Sequence, residues 1–331
     1  MNRFPLLAAV SLLLSLRAAA ADPPPYLVVD LTGGTNAAAF KVSTLPMAPR
    51  DLNGYKGAKM LFRLVPAGSF TMGSPGNETG RGPNEDLHRV TITKPYYIGV
   101  FEVTQLQWFL VTGKRVSLNQ GGAKGDARPV ERVSYKMIRG GTKGAKWPLG
   151  REVDADSFLG ILRAKTAASG IAFDLPTEAQ WEYACRAGTT APLNSGKPLS
   201  GTIECRNLNE LGRVDGNRDK GAGGFKEHTV VGTYKPNAWG LYDFHGNVWE
   251  WCLDWYQEHL GTDPVTDPEG PVPAKGEKPV QRVYRGGGWK STAQNCRSAN
   301  RRGGYASHYK YYVFDDLTGL RLAAPVPGRK Q

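Results

Sequence analysis

The sequence predicts an α+β fold built as a single irregular domain of short strands and few helices. Three observations predict it. First, 41 glycines and 23 prolines in 331 residues punctuate the chain so often that long regular elements have no room. Second, the apolar segments are short and alternate with period two, as half-buried strands do. Third, only a few segments carry helical spacing, and two of those open on the same Thr-x-x-Gln capping box. No internal repeat is visible, and short strands, two or three helices and long loops make up one α+β domain.

In chain order, residues 1–21 read as a secretory signal peptide. A short basic start is followed by a thirteen-residue, mostly apolar run (4–16) and small residues for cleavage near Ala20-Ala21. The run is too short to span a bilayer, and no later segment is long and apolar enough to do so. The mature chain is therefore expected to be secreted or periplasmic. The formal net charge is +12. Loss of residues 1–21 removes Arg3 and Arg17 and no acid, leaving 40 basic against 30 acidic residues. The bases are interspersed with acids, so a nucleic-acid partner is not expected, and export argues the same way.

Residues 22–60 read as an N-terminal extension: a stiff Pro23-Pro24-Pro25 linker, then a strand at 26–31. The main domain is expected over 61–324, with 325–331 as a tail. Residues 61–65 and 69–72 read as a strand pair around Pro66-Ala67-Gly68, and 90–94 and 96–103 as further strands. Thr104 to Gln107 opens a helix that turns Trp108 and Leu110 inward. Residues 157–168 have helical periodicity and 171–175 read as a strand. Pro176 then precedes the second capping box, Thr177 to Gln180, whose helix runs to Arg186 and ends at Gly188. Residues 280–285 form a strand leading into Gly286-Gly287-Gly288, and 319–323 form the last strand.

The segment 236–256, PNAWGLYDFHGNVWEWCLDWY, holds Trp239, Trp249, Trp251 and Trp255, half of the chain's eight tryptophans. From Val248 the residues alternate as a strand. Trp249, Trp251, Leu253 and Trp255 share one face; Val248, Glu250, Cys252 and Asp254 share the other. Four indoles in one strand-and-turn require burial, at about 1.5–3 kcal/mol or more each. The same residues present a second possibility: Asp243, Gly246, Val248 and Glu250 offer two carboxylates and two carbonyls, the all-oxygen set that suits calcium. The histidines show no metal-ligand spacing, and there is no nucleophile elbow, phosphate loop or Cys-x-x-Cys. Four cysteines, Cys185, Cys205, Cys252 and Cys296, admit three full pairings, and buried free thiols are the alternative.

GLYDFHGNVWEWCLDWY, together with AGSFTMGSP (67–75), LPTEAQWEYACRAGT (175–189), RVYRGGGW (282–289), CRSANR (296–301) and GLRLA (319–323), resembles the formylglycine-generating enzyme family, the sulfatase-modifying factors. The resemblance runs in order from about Leu61 to Ala324. It implies a variant of the C-type-lectin-like fold and carries over several expectations. Cys185 and Cys296 are the candidate structural disulfide. Asp243, Gly246, Val248 and Glu250 correspond to a calcium site, and Asn209, Glu210 and Phe225 to a second one, weakened because Gly223 stands where a carboxylate is usual. The family's enzymes bind copper(I) through two cysteines shortly after the Arg-Gly-Gly motif, and thiolates suit that metal. Here Ser291 stands where the first belongs, and Cys296 corresponds to the structural cysteine. The copper-dependent oxidation of a sulfatase cysteine is therefore not expected. The expected function is a calcium-stabilised, non-catalytic module binding a protein, peptide or anionic polysaccharide. The alternatives are the family oxidase acting on sulfatases with an atypical site, or another oxidoreductase on the same scaffold. Trp249, Trp289, Arg285, Arg297 and Arg301 are the cleft candidates; Arg282, Arg302 and Arg321 come from the same blocks, and pairing with core carboxylates is their structural alternative.

Overall fold

The computed structural model describes residues 22–118, 125–217, 227–272, 281–305 and 315–327. The expected signal peptide, Gly223, Phe225 and the last four residues of the tail lie outside them. Strands β1 (Tyr26–Asp30), β2 (Lys41–Leu45), β3 (Lys59–Val65), β4 (Gly68–Met72), β5 (His88–Ile92) and β6 (Tyr96–Gly99) precede helices α1 (Gln105–Thr112), α2 (Tyr135–Arg139), α3 (Phe158–Lys165) and α4 (Glu178–Arg186). Strands β7 (Trp249–Trp255), β8 (Val265–Thr266), β9 (Gln281–Arg285), β10 (Arg301–Tyr305), β11 (Thr318–Gly319) and β12 (Ala323–Pro325) follow. They form a five-stranded sheet ordered β12-β6-β3-β1-β2, a four-stranded sheet β10-β9-β7-β11 and a three-stranded sheet β4-β5-β8. This is the mixed, helix-poor α+β architecture that the glycine and proline content predicts.

The five-stranded sheet separates two cores. Alternation along β1 and β3 sends Leu27, Val29, Met60 and Phe62 to one side, where Trp108 of α1 stacks on Phe158 of α3 at 4.7 Å. Val28, Leu61 and Val65 go to the other side with Trp181 and Tyr183 of α4. The 22–60 segment is thus integral to the domain: β1 pairs with β3 from Tyr26↔Arg63 to Asp30↔Lys59, placing β1 inside the sheet.

Both capping boxes form. Thr104 accepts from the Gln107 amide while the Gln107 side chain accepts from the Thr104 amide, and Thr177 and Gln180 repeat the arrangement. Other expectations are corrected. Strands β3 and β4 do not pair with each other; Pro66-Ala67 carries the chain from one sheet to another, and β4 pairs with β5. Residues 171–175 make only an isolated bridge, Asp174↔Ala323. Helix α4 ends on Ala187, at φ 45°, one residue before the glycine. The terminal strand is split, because β11 pairs with β7 whereas β12 crosses to β6.

Candidate functional site

Strand β7 is buried on both faces, so the two faces carry different chemistry. On one face, the Trp251 indole donates to the Val133 carbonyl at 2.8 Å, and Trp249 meets Tyr284 edge-on. On the other, Glu250 is fully buried. Its oxygens accept from Arg321 Nε and a terminal guanidinium nitrogen at 2.6–3.1 Å, and Oε2 also accepts from the Trp181 indole at 2.6 Å. Arg321 completes its donor set on the carbonyls of Gly99, Val100 and Tyr242. A guanidinium thus stands against the carboxylate that was expected to face calcium.

The rest of that oxygen set is held separately. Asp243, at φ 63°, accepts from the Gly232 amide through Oδ2, while Oδ1 is buried without a partner. Burial pushes the Asp243 carboxyl up to about 6 despite the Gly232 hydrogen bond. Gly246 takes φ 121° against the Arg213 carbonyl, where a Cβ would come within 2.3 Å. The Val248 amide and Asn247 side chain donate to Glu102, whose carboxyl is raised by burial and by the charges of Asp243 and Glu250. Calcium takes six to eight oxygens. With Glu250 engaged by Arg321 and Trp181, the residues as they stand do not fit it. Of the second expected set, Asn209 gives its carbonyl to Asn217, and half-buried Glu210 is clamped between Lys197 and Lys235 at 2.7 Å each. Hydrogen bonds from these two lysines lower the Glu210 carboxyl to about 2.

All four cysteines are buried free thiols. The expected Cys185–Cys296 bridge is not formed in this structure. Cys185 Sγ faces Ser298 Oγ at 3.5 Å and His245 Nε2 at 3.9 Å, and Cys296 Sγ packs against Gly287, where a Cβ would come within 2.3 Å of it. His245 ties the region together, with Nε2 accepting from the Asn194 amide and Nδ1 donating to the Cys296 carbonyl. Burial lowers that imidazole to about 4, so the ring is neutral, and raises the Cys185 thiol to about 12. Cys296 and Cys252 are also raised by burial. Ser291 is buried and accepts from the Gly288 amide at 2.9 Å, closing the turn after the glycine run. A copper(I) bis-thiolate site needs two approachable thiolates, and this donor set does not fit it.

The cleft candidates are corrected likewise. Arg285 is enclosed by Glu182, Glu178 and the carbonyls of Ser298, Ala299 and Asn300. Arg297 is enclosed by Glu78, Glu85 and Gly80. Trp249 and Trp289 are buried, Trp289 donating to the Asp316 carbonyl. Arg301 pairs with Glu178 through two nitrogens at 2.7 and 2.8 Å and borders an open cleft. That cleft, about 480 Å³, is polar and lies between the 80–84 loop and β9–β10. Arg81, Asn84, Tyr256, Asn295 and Arg302 supply most of its hydrogen-bonding capacity. Arg302 is exposed and donates to Asn295 Oδ1 at 2.8 Å; Asn84 donates to the Tyr256 hydroxyl at 2.7 Å. Sequence reasoning missed Arg81, Asn84, Tyr256 and Asn295. Their partners are up to 217 residues away, as in the Asn84–Arg301 contact, and no local pattern marks them.

The model of the sulfatase-modifying factor enzyme 1-like domain matches residues 57–324. The formylglycine-generating enzyme of Mus musculus is 25% identical over 292 residues, covering 80% of this chain and 75% of that protein. The chaperone protein LppX of Paenibacillus barcinonensis is 30% identical over 267 residues, covering 70% and 80%. Among solved structures, PvdO from Pseudomonas aeruginosa is similar with a TM-score of 0.59 and 27% identity, covering 80% of this chain and 94% of that one.

Proposed function

The chain belongs to the sulfatase-modifying factor family, and we propose that it acts there as an exported binding module and not as a cysteine oxidase. The observation that carries this reading is the state of the sulfur and its replacement. Every thiol is buried, and Ser291, at the position of the first catalytic cysteine, spends its hydroxyl on the Gly288 amide. A hydroxyl is a poor copper(I) ligand, and a buried thiol whose ionisation is opposed by burial is a poor nucleophile.

The polar cleft beside Arg301 supports a peptide, a protein segment or an anionic polysaccharide as the partner. Arg81 and Arg302 supply positive charge, and side-chain amides and the Tyr256 hydroxyl supply donors and acceptors suited to backbone or sugar groups. LppX, a relative, is named a chaperone protein, a name that points to binding. Other relatives are named formylglycine-generating enzymes, so the decisive experiment is chemical. The mature protein is incubated with a Cys-x-Pro-x-Arg peptide, copper(I), reductant and oxygen, and the peptide is weighed by mass spectrometry. An unchanged peptide mass, beside a relative that converts the same peptide, is the expected result. Conversion of the cysteine to formylglycine overturns the proposal.

A further inference from the structure

A second cavity lies at the start of α4, lined there by Glu178 and Ala179. It encloses about 250 Å³ and is bounded by Met72, Leu260, Val265 and Pro271, by His88, Glu178 and Asp254, and by the 268–270 loop with Glu269 at its rim. Among the described residues, no lysine or arginine lines it. Two of its carboxylates already have cations: Glu178 has Arg301 and Arg285, and Glu269 has Arg151. Asp254 has none within ion-pair distance among the described residues. Its Oδ2 accepts from the Glu178 amide at 2.7 Å, and among the described residues no hydrogen bond reaches Oδ1. His88 is 5% exposed, with Nδ1 held by the Asp86 carbonyl at 2.9 Å and no hydrogen bond at Nε2 among the described residues. With the proton on Nδ1, the neutral ring presents a lone pair at Nε2. The cavity therefore joins a carboxyl group without a cation and an imidazole nitrogen to an apolar wall.

We propose that this cavity binds a small primary ammonium ion, with the charged nitrogen between Asp254 and His88 and a short alkyl chain against Met72, Leu260 and Val265. An ammonium group supplies the three donors and the positive charge that this lining lacks; an alcohol supplies one donor and no charge. Burial, followed by the charge of Glu178, raises the Asp254 carboxyl to about 8, against the Glu178 amide and the more distant Arg282 and Arg301. In the free protein at pH 7 Asp254 is therefore protonated, and a bound cation ionises it and releases that proton to solvent. The proposal does not depend on the cleft or on the sulfur chemistry.

The test is isothermal titration of the mature protein at pH 7 with n-butylammonium, and separately with 1-butanol, in buffers of different ionisation enthalpy. Saturable butylammonium binding, no butanol binding and a buffer-dependent heat that reports proton release are expected. Asp254→Asn should weaken binding at least about tenfold and abolish the proton release, because a charge-assisted hydrogen bond is lost. Leu260→Trp, which fills the cavity and leaves both acceptors in place, should remove binding and decides the matter if Asp254→Asn fails to fold. Equal binding of butanol, no saturable binding at millimolar butylammonium, or a Leu260→Trp protein that binds unchanged overturns the proposal.

Discussion

Two groups of arginines meet opposite fates. Arg285, Arg297 and Arg321 are fully buried, each with a carboxylate and several carbonyls around its guanidinium. Arg81 and Arg302 border the open cleft, and Arg302 sits next in the chain to Arg301, which is buried and paired. In β10 the side chains alternate, so neighbouring arginines point to opposite sides of one strand. The difference shows that the arginine-rich blocks of this chain are first a structural device. Guanidinium groups cross-link β7, β9, α4 and the loops, in a domain where little regular structure is available to do so. Only the residues left over on the outward side are free for recognition.

Substitutions can break that contrast, and the largest effect belongs to the buried pairs. Arg321→Met leaves Glu250 as an uncompensated buried charge and should cost about 3–5 kcal/mol in urea unfolding. Because Arg321 stands against Glu250, the melting temperature of the wild-type protein should be the same with and without a chelator. A chelator-sensitive transition would restore Glu250 as a calcium ligand and remove this account of Arg321.

The next effect is a pH dependence. Burial raises the Asp254 carboxyl to about 8, above its unfolded value, so the folded chain keeps a proton that the unfolded chain releases. Stability is therefore lost as pH rises from about 4 to 8, with a limiting slope of about 1.4 kcal/mol per pH unit. Asp254→Asn, which imitates the neutral carboxyl, should gain on the wild type across that window. Parallel stability curves for the two proteins would show that Asp254 is ionised throughout.

Smaller effects come from the helix starts. Thr104→Ala and Thr177→Ala each leave the third amide of a helix without its cap and should cost about 1 kcal/mol, with no effect on any binding activity. The smallest belongs to the outward arginines. Arg302→Ala should change stability by no more than about 0.5 kcal/mol while weakening retention on an anionic polysaccharide column. If it destabilises as much as Arg321→Met, the distinction between the two groups of arginines fails.

Much of this was legible before the structure. The glycine and proline content and the short alternating segments determined a helix-poor α+β domain, because they set how long any element can run. The capping boxes at Thr104 and Thr177 gave the starts of α1 and α4, because a cap is satisfied within four residues. The tryptophan-rich stretch at 236–256 and the ordered motifs identified the family. What needed the tertiary structure is everything settled by partners distant in the chain. Glu250 could have faced a metal or a guanidinium, and Arg321, 71 residues away, decides between them. Cys185 and Cys296 could have paired, but their surroundings place serine, histidine and glycine against the sulfurs. Asp254 reads in the sequence as one more buried position of a strand; only the meeting of β7, the start of α4 and the 268–270 loop makes it a carboxyl without a cation beside a cavity. Sequence fixes what is satisfied locally, whereas the ionisation and accessibility of a side chain depend on what folding packs against it.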